Sequence, residues 1–166
     1  CIVGFNAGPP FMPSSYNNNV QIIQHQDHVV IMTEMVHDAR IVALGSRPQL
    51  HDNIRLWSGN SIGYWDGETL VVETRNFNGM TQSFPTSPNG NSYEKLLTER
   101  FTRVNTTTIE YEFTIDDPGT FTDKITVMMP ITKVHGLLYE YACHEGNYGM
   151  VNMLRGARRE ELSTDE

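Results

Sequence analysis

From Val20 onward, apolar and polar residues alternate with the period of two that a strand needs when one face is buried. Val20–Gln24 is the first such run. A short turn at Gln26-Asp27 separates it from a second, Val29–Val36, and Ala39–Leu44 follows, closed by Gly45. The sharpest signal lies in Ile62–Thr74, where Asp66-Gly67 sits between aromatic and β-branched runs. A two-residue hairpin tip needs positive φ, which Asp-Gly supplies, and its arms are Tyr64–Trp65 and Thr69–Val72. Leu97–Val104, Thr108–Ile115 and Lys124–Ile131 continue the pattern, with Asn105-Thr106 and Asp117-Pro118-Gly119 as turns. Gly136 precedes a last expected strand, Leu137–Cys143.

Some stretches depart from this rhythm. Residues 47–57 place Pro48, Leu50, Ile54 and Trp57 at helical spacing and predict a short helix, and residues 148–162 read as a C-terminal helix. Residues 1–19 are punctuated by Pro9, Pro10 and Pro13 and predict an irregular arm, while residues 78–92, rich in Gly, Asn, Ser and Pro, predict a long loop. About eight or nine short strands in hairpin order predict a mainly β fold, an antiparallel up-and-down barrel or a strongly curled sheet. It is lipocalin-like in architecture only. The whole chain, 1–166, reads as a single domain with one core.

Composition narrows the function classes. The formal net charge of −8 argues against nucleic acid and anionic membrane surfaces, both of which want basic patches. Arg155, Arg158 and Arg159 are the nearest thing to a basic run, and Glu160 and Glu161 follow at once. No apolar run approaches the roughly 18 residues that span a bilayer. Gly59–Gly63 lacks the spacing and the following helix of a phosphate loop, and no Cys-x-x-Cys pair is present. Cys1 and Cys143, near opposite ends, predict one disulfide, which in the chain-entropy model is worth about 4–5 kcal/mol. Two buried free thiols are the alternative. An acylated Cys1 would need a loose polar tether, whereas Ile2-Val3-Gly4-Phe5 reads as packed chain.

Several strings carry a family resemblance. They are Tyr16-Asn17-Asn18-Asn19, Glu34–Arg40, the Gly63–Thr74 hairpin followed by Asn76-Phe77, Glu99–Val104, and Tyr139–Met150. Together they resemble a family of exported bacterial proteins of uncharacterised activity. The resemblance runs over essentially the whole chain. It implies an exported, small β-rich protein, periplasmic or extracellular, with more chain before Cys1 in relatives. It implies no activity.

The candidate chemistry comes from faces. If Leu137–His144 is a strand, Leu138, Glu140, Ala142 and His144 share one side, and Leu137, Tyr139, Tyr141 and Cys143 share the other. Glu34 shares a side with Met32 and Val36. A carboxylate on an apolar face is costly unless paired, and its pKa rises, which is how a general acid or base is made. The plainer alternative is a salt bridge to Arg40, Arg75 or Arg100. His37-Asp38-Ala39-Arg40 sets an imidazole beside an acid and a guanidinium, a set able to take a proton and hold an oxyanion. A strand-end turn capped by Asp38 explains the same residues.

The expected catalytic set is therefore His144, Glu140, His37, Arg40 and Glu34. Of the chain's 16 aromatic residues, Tyr139, Tyr141, Tyr148 and Trp65 are expected to line a ligand site together with Asn18. His25 and His28 flank a turn, no short stretch has metal-ligand spacing, and the reading includes no metal and no cofactor. There is no Gly-x-Ser-x-Gly elbow. The chain thus reads as an exported small barrel that binds or acts on a small apolar or phenolic molecule. If it acts, it does so by cofactor-free acid–base chemistry of the lyase, isomerase or hydrolase type. A non-catalytic binding barrel and a structural subunit of an exported assembly are the alternatives. The expected partner is a small molecule, with no nucleic acid, no membrane span and homo-oligomerisation left open. The discriminating question is whether the five catalytic candidates meet in one pocket.

Overall fold

The computed structural model describes the chain except for residues 1, 5, 46–47, 85–89 and 165–166. Eight strands form one sheet in chain order: β1 Val20–Gln24, β2 His28–Thr33, β3 Ala39–Leu44, β4 Asn60–Asp66, β5 Thr69–Arg75, β6 Leu96–Arg103, β7 Thr108–Asp116 and β8 Ile125–Thr132. The sheet curls into a half-barrel, mainly β as expected, and a helix, α1 Tyr148–Thr164, follows it. All neighbours are antiparallel except β3 and β4, which run parallel over Ala43↔Ile62 and Leu44↔Gly63. A parallel pair requires a crossover, and residues 45–59 supply it.

That crossover carries no helix among its described residues, contrary to the short helix expected near 47–57. Leu56 instead bridges to Phe77. Asn76, left-handed at φ 61, donates from Nδ2 to the carbonyls of His51 and Ile54 at 3.2 and 3.1 Å. The side-chain amide takes the carbonyls that a helix would have satisfied internally.

The hairpins follow the alternation closely. β6, β7 and β8 lie within one residue of their expected spans. At the β4–β5 tip, Asp66 pairs with Thr69, so the two loop residues are Gly67 and Glu68, one position later than Asp66-Gly67. Gly67 has φ +62 and Glu68 has no positive φ, the pattern of a turn with glycine at its first central position.

The inner face is the core. Val29 and Ile31, Val42, Leu70 and Val72, Leu97 and Phe101, and Tyr111, Phe113 and Ile115 are buried, and the arm adds Phe11. Glu110 and Glu112 point the other way, Glu110 exposed and Glu112 half-buried. The arm is not loose. Asn6 is buried and donates from Nδ2 to the carbonyls of Tyr16 and Asn17, at 3.1 and 3.0 Å, and to Oδ1 of Asn18 at 3.0 Å.

Two further expectations fail. β2 stops at Thr33 rather than Val36, because Thr33 Oγ1 bonds the Met35 carbonyl at 3.1 Å and its N–H bonds that of Asp38 at 2.9 Å. Val36 and His37 in the resulting turn are left-handed, at φ 53 and 44. Met35 is buried beneath Gly4, where a Cβ would stand 2.2 Å from Met35 Cγ. And Leu137–Cys143 is not a strand: after β8 the chain runs irregularly to α1. α1 itself matches its expected span to within two residues, and its side chains through Ser163 are exposed.

Candidate functional site

The curl first gathers a polar knot. Arg40 on β3, Glu99 on β6 and Tyr111 on β7 all project inward, because each occupies a buried position of its alternation. Arg40 pairs with Glu99 through both guanidinium amino groups, with Nη2 to Oε1 at 3.0 Å and Nη1 to Oε2. The Tyr111 hydroxyl donates to Glu99 Oε1 at 2.8 Å and accepts from the Phe11 N–H at 3.1 Å, which ties the arm into the core. Arg40 also lies 5.5 Å from the Phe11 ring centroid. Burial alone would lower the Arg40 pKa. The Glu99 carboxylate outweighs it and holds Arg40 above its ordinary value. Burial first, then the charge of Glu99, pushes the Tyr111 phenol well up.

A second buried cation lies just before β6. Lys95 Nζ donates to the Ser83 carbonyl at 2.9 Å and sits 4.5 Å from the Phe77 ring centroid. Burial lowers its pKa to about 8, against the pull of Asp117 and Glu99. Asp117 accepts from Ser83 Oγ and from the Ser92 N–H. Its burial is outweighed by these bonds, and its carboxyl titrates below the usual range. Neither Lys95 nor any member of the Arg40 knot lines either of the two large clefts, so these charges act on the fold.

Of the five expected catalytic residues, Arg40 and Glu34 make structural bonds and the other three are exposed. Arg40 is in the core. Glu34 Oε2 accepts from the Asn19 N–H at 3.2 Å and from Asn19 Nδ2 at 2.9 Å, clasping the arm to the turn after β2. His37 is exposed in that turn. Asp38 caps the start of β3, its Oδ1 accepting from the Ala39 N–H at 2.9 Å, and its Oδ2 accepts from Ser58 Oγ at 3.2 Å. Glu140 and His144 are exposed on the irregular segment after β8, so the strand face meant to align them does not exist. Glu34, His37, Arg40, Glu140 and His144 therefore line neither large cleft.

What those motifs do bring together is apolar. Met35 and Val36 from the turn, Tyr141 and Cys143 from the last segment, Trp57, Met80 and residues of the arm enclose a cleft of about 710 Å3. The Tyr16 and Tyr141 rings meet beside it at 6.5 Å between centroids.

The second cleft, of about 870 Å3, is the mouth of the curled sheet. Its floor is Val29, Leu70 and Phe101, and Val20, Ile22, Ile109 and Ile131 form its walls. Trp65 also lines it, as do Lys133, Val134, Gly136, Leu137 and Leu138 of the segment after β8. Asn18, Arg103, Asn105 and Lys133 are polar rim positions, with Glu68 the acid among the lining residues. Of the expected ligand residues, Trp65 and Asn18 line this cleft and Tyr141 lines the other. Tyr139 and Tyr148 line neither and are 69% and 73% exposed. Asn18 also has a structural task, its Nδ2 donating to the Ser14 carbonyl at 2.7 Å and its Oδ1 accepting from the Ser14 N–H at 2.8 Å.

Sequence reasoning missed Glu99, although Leu97-x-Glu99-x-Phe101 places a carboxylate squarely on an apolar face. It also missed Phe101, Ile109 and Ile131 as cleft residues. Their inward positions are legible, but which inward positions stay uncovered depends on the curl. Comparison of the chain with protein-family models, with curated proteins and with solved structures finds no match in any of the three.

Proposed function

We propose that this chain is an exported small-molecule binding protein whose ligand site is the mouth of the half-barrel. One observation carries the reading: a concavity of about 870 Å3 with a buried apolar floor and cationic side chains, Arg103 and Lys133, among its lining. Drug-sized ligands occupy sites of about 300–1,000 Å3 that are mostly apolar with a few convergent polar groups. The ligand class that fits is a flat apolar or phenolic molecule with one polar or anionic end. Its ring would lie against Phe101, Leu70 and Trp65, and its polar end would face the rim. Binding is favoured over acid–base turnover because, among the described residues, no histidine lines this mouth and Glu68 is its one carboxylate. Export is supported by the family resemblance and by the predicted Cys1–Cys143 bond. Cys1 lies outside the described residues, and there is no free cysteine among those described.

Anilinonaphthalene sulfonate, an apolar ring system with an anionic head, is the first probe. Saturable binding with about one probe per chain is expected, weakened at least about tenfold by Ile131→Asp, which places a negative charge on the cleft wall against the probe's anionic head. Met150→Lys on the exposed helix should leave the affinity unchanged. If Met150→Lys weakens binding and Ile131→Asp does not, the probe reports the helix and the cleft proposal is wrong.

A further inference from the structure

The β1–β2 turn holds a feature that the cleft does not use. β1 ends at Gln24, which pairs with Val29, and the turn presents His25 and Asp27 beside His28, the first residue of β2. Oδ1 of Asp27 lies 2.8 Å from His25 Nδ1 and 2.6 Å from His28 Nδ1. One carboxylate oxygen thus draws two imidazoles together, and their rings stand 4.7 Å apart with a 30° tilt. The turn is held from two directions. The His25 N–H bonds the His28 carbonyl at 2.9 Å, and the Leu44 N–H of β3 bonds the Asp27 carbonyl at 2.9 Å. The clustering therefore belongs to a braced three-strand corner.

We propose that His25, Asp27 and His28 form a binding site for a late first-row divalent cation such as Zn2+. One ligand atom from each residue lies within 4.8 Å of the others, and no other such group of three forms among the described residues. Zinc takes imidazole nitrogen and carboxylate oxygen at about 2.0–2.2 Å, so its ligand atoms sit roughly 3–3.5 Å apart. Small rotations of two rings already facing one oxygen reach that spacing. Two nitrogens and one oxygen select zinc, copper or nickel over magnesium and calcium, which want oxygen alone. His25 and Asp27 are exposed and His28 is half-buried. The cation would keep open positions for water or an outside ligand. The proposal departs from the expectation of no metal, and the residues that carry it stand in the sequence as His-x-Asp-His across a turn.

The test is calorimetric titration of the whole chain with ZnCl2, with MgCl2 as the counter-case. One site is expected for zinc and none for magnesium. Asp27→Asn and the double change His25→Ala with His28→Ala should each raise Kd by more than about tenfold. His144→Ala should leave it unchanged, and far-UV circular dichroism should show every variant folded. The proposal is overturned if zinc fails to bind at millimolar concentration. It is equally overturned if the double variant binds as tightly as the parent, which would place the cation on other surface histidines and leave Asp27 a clasp for the turn.

Discussion

Removing one partner of the Arg40–Glu99 pair should cost far more than removing both. The Arg40 side chain is 7% exposed and that of Glu99 is 0%, so neither charge can turn to water when its partner is lost. Glu99→Leu strands the guanidinium among Phe11, Thr74 and Tyr111 and takes away the acceptor of the Tyr111 hydroxyl. Breaking a buried pair on one side typically destabilises by about 3–5 kcal/mol, while replacing both partners by packed apolar residues is often near neutral. We therefore expect Glu99→Leu and Arg40→Met each to lower stability by about 3–5 kcal/mol, and the double variant by about 1 kcal/mol or less. With a urea dependence of about 2 kcal/mol/M for a domain of this size, each single change moves the unfolding midpoint down by roughly 1.5–2.5 M. Equilibrium urea unfolding at pH 7, followed by the fluorescence of Trp57 and Trp65, measures all four corners of the cycle. Additive losses, or single variants within about 1 kcal/mol of the parent, would show that the pair is hydrated or unformed, and the account of the knot would fall.

Lys95 titrates at about 8 in the fold against 10.5 unfolded, so between those values the unfolded chain binds more protons. Its contribution to stability must therefore rise with pH across that window, by up to about 3 kcal/mol. Against Lys95→Met, the parent should gain stability from pH 8 to 10.5, and a flat difference in urea midpoints would refute this. Gly67→Ala should cost about 1 kcal/mol, for its positive φ alone, since no atom lies within 4 Å of a Cβ there. Gly59→Ala should cost at least about twice that, because a Cβ would stand 2.6 Å from Thr74 Cγ2 and 2.7 Å from the Arg75 carbonyl, and equal thermal shifts for the two would contradict the packing. Thiol titration under denaturing, non-reducing conditions should find no reactive thiol. Two would reject the Cys1–Cys143 bond.

What the sequence determined by itself is the part governed by near neighbours. The β5, β6, β7 and β8 runs, a hairpin turn within one residue of its place at Gly67-Glu68 and the helix at Tyr148–Thr164 to within two residues were legible, because alternation, turn chemistry and helical spacing act over a few residues. The same logic misread Leu137–Cys143, which has a strand's alternation and no strand beside it. A strand exists only where a partner's backbone meets it, and β8 already ends the sheet with Pro130 in its run. Residues 47–57 failed likewise, since Asn76 captures carbonyls a helix needs. Only the tertiary structure chose Glu99, 59 residues away, as the partner of Arg40. Only the curl left Leu70, Phe101 and Ile131 facing an open mouth while Val72, Glu99 and Phe113 on the same inner face were sealed. Local pattern assigns a side chain to a face. Which residues of that face meet each other, and which meet solvent, is decided by contacts between strands far apart in the chain.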